Sequence, residues 1–95
     1  MQYRQMGTSG LKVSPICLGA LMFGEETSSA TARRIVAMAR DAGINFIDTA
    51  DCYGHSEARI GRYISHRRDE FTLATKCGCP PGGGDHIWTL SLIHI

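Results

Sequence analysis

The chain has 95 residues, 43% of them apolar and 20% charged, with a formal net charge of +1. That length holds one ordinary domain, the apolar fraction excludes a disordered, solvating chain, and the near-neutral charge excludes a general pull toward nucleic acid or an anionic membrane. No apolar run approaches the length of a membrane span, and "MQYRQMGTSG" has no apolar core of the kind a secretory signal carries, so the expected setting is cytoplasmic.

Residues 3–6 alternate in polarity, residues 7–10 make a glycine-bounded turn, and Leu11-Lys12-Val13 alternates again, which predicts a β-hairpin. Pro15 ends it. Ile16-Cys17-Leu18 is a continuous apolar run closing on Gly19, the pattern of a strand buried on both faces. The loop "ALMFGEET" leads to a helix for which Thr27, Ser28 and Ser29 are all candidate N-caps. Ile35, Met38, Ala39 and Ala42 form one apolar stripe, Arg33, Arg34, Arg40 and Asp41 lie mostly off it, and Gly43 suits the position just past the helix end.

A second buried strand, "INFID", follows almost without a connection, and "TADCYGH" is a loop. Ser56 is predicted to cap a second helix, with Ile60 and Ile64 on one face and Arg59, Arg62 and Arg67 largely on others. A third strand, "FTLAT", runs into Lys76, and "CGCPPGGGD" reads as a loop. Without a secretory signal, Cys17, Cys52, Cys77 and Cys79 are expected to be reduced thiols. Cys77 and Cys79 are too close for the usual zinc knuckle and lack a second ligand pair, so no metal is expected. The order hairpin, β, α, β, α, β implies a parallel sheet with right-handed crossovers.

In parallel α/β folds chemistry gathers at the C-terminal ends of the strands. Strand one there ends at Gly19-Ala20, strand two at Asp48 with Tyr53 in the loop behind it, and strand three at Lys76. A phenol titrates near pH 10 and is a poor proton donor at neutral pH. A neighbouring ammonium favours the phenolate, and a carboxylate keeps that ammonium charged and oriented. Such a tyrosine can protonate a developing alkoxide, as hydride addition to a carbonyl requires. Singly, each residue has an ordinary role: Tyr53 as rim packing, Lys76 as a solvated charge, Asp48 as a turn or Asx cap. Their joint placement points to chemistry.

These residues carry a resemblance to the aldo-keto reductases. "FIDTADCYG" resembles the family signature around its Asp and Tyr, and "MQYRQMGTSGLKVSPICLGALMFG" its N-terminal hairpin and first strand. "HSEARIG" is similar to a family helix start, and "LATKCG" to a Thr-Lys strand end. The resemblance runs from residue 2 to about residue 79. It implies the N-terminal part of a (β/α)₈ TIM barrel, an α/β fold in which the hairpin closes the barrel bottom. It also implies NADPH-dependent reduction of an aldehyde or ketone. By this resemblance Tyr53 is the general acid, Lys76 and Asp48 tune it, and Gly19, Ala20, Leu21 and Asp48 border the nicotinamide. The opening resembles the branch that includes bacterial oxidoreductases and potassium-channel β subunits, so a regulatory binding protein is the alternative.

The family's fourth catalytic residue, a His at the end of strand four, and its C-terminal cofactor residues have no counterpart here. "LSLIHI", residues 90–95, looks like that strand, with His94 in place. A parallel crossover needs about a dozen residues and usually a helix. The thirteen residues between Lys76 and Leu90 contain two prolines and four glycines and show no helical stripe. "LSLIHI" is also the literal translation of CTG TCT CTT ATA CAC ATC, which resembles a transposase mosaic end used as a sequencing adapter. The expectation is therefore a truncated barrel domain over residues 1–89 and a non-native tail over 90–95. His94 is left out of the site, and the 95-residue chain by itself is expected to be inactive.

Overall fold

The computed structural model describes residues 1–78. The expectations for Cys79, His94 and the tail lie outside them.

Gly7 (φ 57°) and Gly10 (φ 82°) let the chain reverse between β1 (Arg4–Gln5) and β2 (Lys12–Val13), which pair antiparallel. Ser14 ties this hairpin to the start of the parallel sheet. Its backbone N–H donates to Asn45 Oδ1 at 2.7 Å, its hydroxyl accepts from Asn45 N–H at 3.2 Å, and Asn45 Nδ2 donates to the Lys12 carbonyl at 3.0 Å.

Three parallel strands form the sheet in the order β3 (Leu18–Gly19), β4 (Phe46–Asp48), β5 (Thr72–Ala74). Gly19 stands opposite Asp48, and Asp48 opposite Ala74, so the three strand ends are level. The expectation that the first strand is buried on both faces is corrected: Ile16 is 56% exposed, and Cys17 and Gly19 are also exposed. β3 begins only at Leu18, so Ile16 and Cys17 lie before the strand, and Leu18 is the residue of this run that packs against the core cluster. In the central β4 only Ile47 is fully buried, at 0%, between a half-buried Phe46 and a half-buried Asp48.

Of the three candidate caps, Ser28 starts α1 (Ser29–Asp41), its Oγ accepting from Thr31 N–H at 3.2 Å. Gly43 (φ 93°) ends it as expected. Its N–H donates to the Arg40 carbonyl and that of Ile44 to the Ala39 carbonyl, the paired bonds of a Schellman motif. The buried face of α1 is Ala32, Val36 and Ala39 with Ile35 partly covered. The predicted stripe is corrected on this point, since Met38 is 66% exposed and Ala42 is exposed. Both stripes obey the same spacing and share Ile35 and Ala39. The core cluster supplied by Ile47 of the sheet and by Ile60, Tyr63 and Ile64 of the next helix meets the one containing Ala32 and Val36.

That next helix, α2 (Ser56–Ile64), buries Ile60 and Ile64 as expected and continues into a 3₁₀ segment, Ser65–Glu70. The capping role predicted for Ser56 is corrected. Ser56 is the first helical residue, His55 is the N-cap, and no side chain caps this terminus. A bidentate ion pair, Arg40 Nε and Nη2 each donating to Glu70 at 3.1 Å, clips the end of α1 to the approach to β5.

Candidate active site

The predicted trio converges. Lys76 Nζ donates to both oxygens of the Asp48 carboxylate at 2.9 Å and to the Thr49 carbonyl at 2.7 Å. The same Nζ lies 5.2 Å from the centre of the Tyr53 ring, within cation–π range. Each element delivers its residue for a local reason: Asp48 ends β4, Lys76 sits two residues past β5, and Tyr53 stands in the turn held by its own N–H donating to the Ala50 carbonyl at 3.2 Å. The backbone carries the sheet pairing onward, with Thr49 N–H donating to the Ala74 carbonyl and Asp51 N–H to the Lys76 carbonyl. Hydrogen bonding to Asp48 is the first cause raising the Lys76 ammonium above its ordinary value, with the Asp48 charge and then Tyr53 acting in the same direction against partial desolvation. Asp48 and Tyr53 are half-buried and Lys76 is exposed, so the trio opens to solvent on the strand-end rim.

Gly19, Ala20 and Leu21 follow one another along that rim. Gly19 is exposed, and a Cβ built on it would meet nothing within 4 Å, so there is open space beside its partner Asp48. Ala20 is 1% exposed, its N–H donating to the Asp48 carbonyl at 2.9 Å. Leu21 begins a 3₁₀ turn, Leu21–Phe23, and is exposed. Cys17 lies within electrostatic reach of Asp48 and Lys76. Although the residue as a whole is exposed, partial desolvation and then the Asp48 charge push its thiol up, against Lys76.

Several supporting contacts escaped sequence reasoning. Ser56 Oγ, fully buried, donates to the Ala20 carbonyl at 2.9 Å and lies 2.8 Å from Thr49 Oγ1. Arg59 Nη1 donates to the Phe23 carbonyl at 2.7 Å. Thr75 Oγ1 donates to Glu57 Oε2 at 2.7 Å, next to Lys76 in the chain. A Cβ on Gly24 would run into the carbonyl of Tyr53. Ser56, Arg59 and Thr75 stand in segments that the sequence singles out, but these contacts have no local signature, and Gly24 reads only as a glycine in a loop. A cavity of about 480 Å³ between α1 and α2, lined in part by Arg33, Arg62, Arg67 and Phe71, lies at the other end of the sheet, since Phe71 precedes β5 and Lys76 follows it.

Asp48, Tyr53 and Lys76 thus meet on one strand-end rim of the parallel sheet, beside the exposed Gly19. The aldo/keto reductase family model matches residues 15–91, and this chain belongs to that family. An uncharacterized oxidoreductase of Bacillus subtilis, YrpG, is 42% identical over all of this chain and 33% of its own length. A probable voltage-gated potassium channel subunit beta of Arabidopsis thaliana is 39% identical over 80% of this chain and 25% of its own. A Pseudomonas aeruginosa crystal structure assigned to the aldo-keto reductases superposes with a TM-score of 0.85 at 38% identity, covering 97% of this chain and 37% of that one. The fold is thus that of the family's (β/α)₈ barrels, and the chain spans about a third of the length of such relatives or less.

Proposed function

We propose that the full-length protein carrying this segment is an NADPH-dependent reductase of aldehydes or ketones. The observation that carries this reading is the Lys76 ammonium bonded to both Asp48 oxygens with the Tyr53 ring beside it. Family membership supports a nicotinamide cofactor and a small carbonyl substrate.

The residues present suit the cofactor's reactive end. The open space over Gly19, next to Asp48, leaves room for a flat ring against backbone, and the buried Ala20 and adjacent Leu21 would form its border. What the cofactor supplies when bound is a hydride. The protein's own residues do the rest. Tyr53 holds, at its phenol oxygen, the proton destined for the substrate's carbonyl oxygen. Lys76 stabilises the negative charge left on that phenol, because a cation beside an acid favours its ionised form. Asp48 keeps Lys76 charged and aimed. The segment alone carries three parallel strands among its described residues, and we expect no turnover from it in isolation.

The test is nicotinamide oxidation by the full-length protein with a panel of aldehydes and ketones, in parallel with Tyr53→Phe. Reduction should fall by about 10²-fold or more in the variant while cofactor binding, followed by fluorescence, survives. Near wild-type turnover in Tyr53→Phe would refute the assignment. Similarity to the channel subunit supports a regulatory binding role as a second, weaker reading; full-length protein that binds the cofactor but turns over no carbonyl would favour it.

A further inference from the structure

Ser56 and Thr49 form a directed hydroxyl chain that the proposed proton-donating trio does not use. Ser56 has one hydroxyl proton, and it goes to the Ala20 carbonyl at 2.9 Å, which can only accept. The 2.8 Å contact between Thr49 Oγ1 and Ser56 Oγ therefore runs from Thr49 to Ser56. Both hydroxyls are sealed from water, with Thr49 3% and Ser56 0% exposed. Water cannot replace a lost partner there, so each bond matters more than its surface equivalent would.

The chain joins the two halves of the site. At one end Ala20 is held three ways: its N–H donates to the Asp48 carbonyl at 2.9 Å, and its carbonyl accepts from Ser56 and from Phe23 N–H at 3.1 Å. At the other end, the carbonyl of Thr49 accepts from Lys76 Nζ at 2.7 Å. The rim that would border the nicotinamide and the ammonium that would act on Tyr53 are thus referenced to one another through two small buried side chains. Hydride transfer depends on the distance and angle between reacting atoms, and small displacements are costly.

We infer that Ser56 is a positioning residue. Its hydroxyl, oriented by Thr49, fixes the Ala20 peptide and with it the placement of the nicotinamide edge against the Asp48–Lys76 pair. This rests on the carbonyl-reductase reading above.

The test uses the full-length protein and four variants: Ser56→Ala, Thr49→Val, Thr49→Ser and Tyr53→Phe. Ser56→Ala should weaken cofactor binding and lower kcat, each by about tenfold, and should enlarge the primary isotope effect seen with nicotinamide deuterated at the transferred position. Thr49→Val removes only the orienting hydroxyl and should show the same pattern at reduced size; Thr49→Ser keeps the hydroxyl and should restore wild-type behaviour. Should Ser56→Ala fail to fold, the Thr49 pair decides. Unchanged cofactor binding, kcat and isotope effect in a folded Ser56→Ala, or a Thr49→Val indistinguishable from Thr49→Ser, would overturn the inference. A wild-type protein that binds no nicotinamide, or a fully active Tyr53→Phe, would instead bring down the reading beneath it.

Discussion

Lys76 Nζ donates to both oxygens of the Asp48 carboxylate at the same distance, 2.9 Å, across two neighbouring parallel strand ends. The pair fixes both the charge state and the position of the ammonium beside Tyr53. Replacing Lys76 with Met in the full-length protein keeps the aliphatic stem and deletes the charge. The expected result is a loss of about 10²-fold in kcat/KM for a carbonyl substrate, with cofactor affinity retained. Steady-state kinetics and a cofactor titration on the same preparation check it.

The same pair predicts an alkaline signature in stability. Lys76 is raised above its ordinary value, by hydrogen bonding to Asp48 first. A base whose folded value exceeds its unfolded value contributes stability that is fully present below the unfolded value, about 10.4. That contribution fades as pH rises through the folded value. The Tm difference between wild type and Lys76→Met should accordingly be flat from neutral pH to about 10 and shrink above it. A difference that grew with alkaline pH would contradict the pairing.

The Arg40–Glu70 pair gives the opposite sign. Bonding to Arg40 holds the Glu70 carboxyl below its usual range. Its contribution is present above the unfolded value, about 4.3, and is lost as pH falls through the lower folded value. Both side chains are solvated, so the effect is small and screened by salt. Glu70→Gln should lower the Tm slightly at neutral pH, less in high salt, and not at all once wild-type Glu70 is protonated. Thermal scans over acid pH at two salt concentrations read this directly.

Much of this was legible in sequence because some positions admit few alternatives. Gly43 follows the apolar stripe of a helix and adopts φ 93°, a conformation few other residues take. Asp48 and Lys76 were legible because strand ends in a parallel sheet share one rim. Met38 was misread because its stripe and the true one satisfy the same helical spacing, and only the core cluster with Val36 distinguishes them. Ser56 was misread because a serine at a helix start is usually a cap. Its real partners, Thr49 and Ala20, lie 7 and 36 residues away, and no local pattern announces a bond across that separation.

Gly24 tests how tightly the first loop is pressed on the tyrosine loop. A Cβ there would lie 2.8 Å from the Tyr53 carbonyl carbon, closer still to its oxygen, and 3.3 Å from Gly54 N. These obstacles are backbone and cannot rotate away. Gly24→Ala should therefore cost about 1–3 kcal/mol by overpacking and displace Tyr53, lowering kcat more than cofactor affinity. Urea unfolding and kinetics together check it; an alanine variant with unchanged stability and kcat would show that the two loops are not in contact.

Gly43 probes the other end of the sheet. At φ 93° its N–H closes one bond of the Schellman motif, and its carbonyl accepts from Tyr3 Oη at 2.7 Å. The glycine thus ends α1 and anchors the N-terminal segment. An alanine there is strained by the positive φ, and its Cβ would sit 3.3 Å from Tyr3 Oη. Gly43→Ala should destabilise the protein by about 1–2 kcal/mol. Tyr3→Phe removes only the hydroxyl and should cost about 0.5–1.5 kcal/mol, the net worth of one hydrogen bond. The alanine shifts the carbonyl that Tyr3 uses, so the double variant should lose less than the sum of the two. Full additivity in a double-mutant cycle would mean that helix termination and hairpin anchoring are independent.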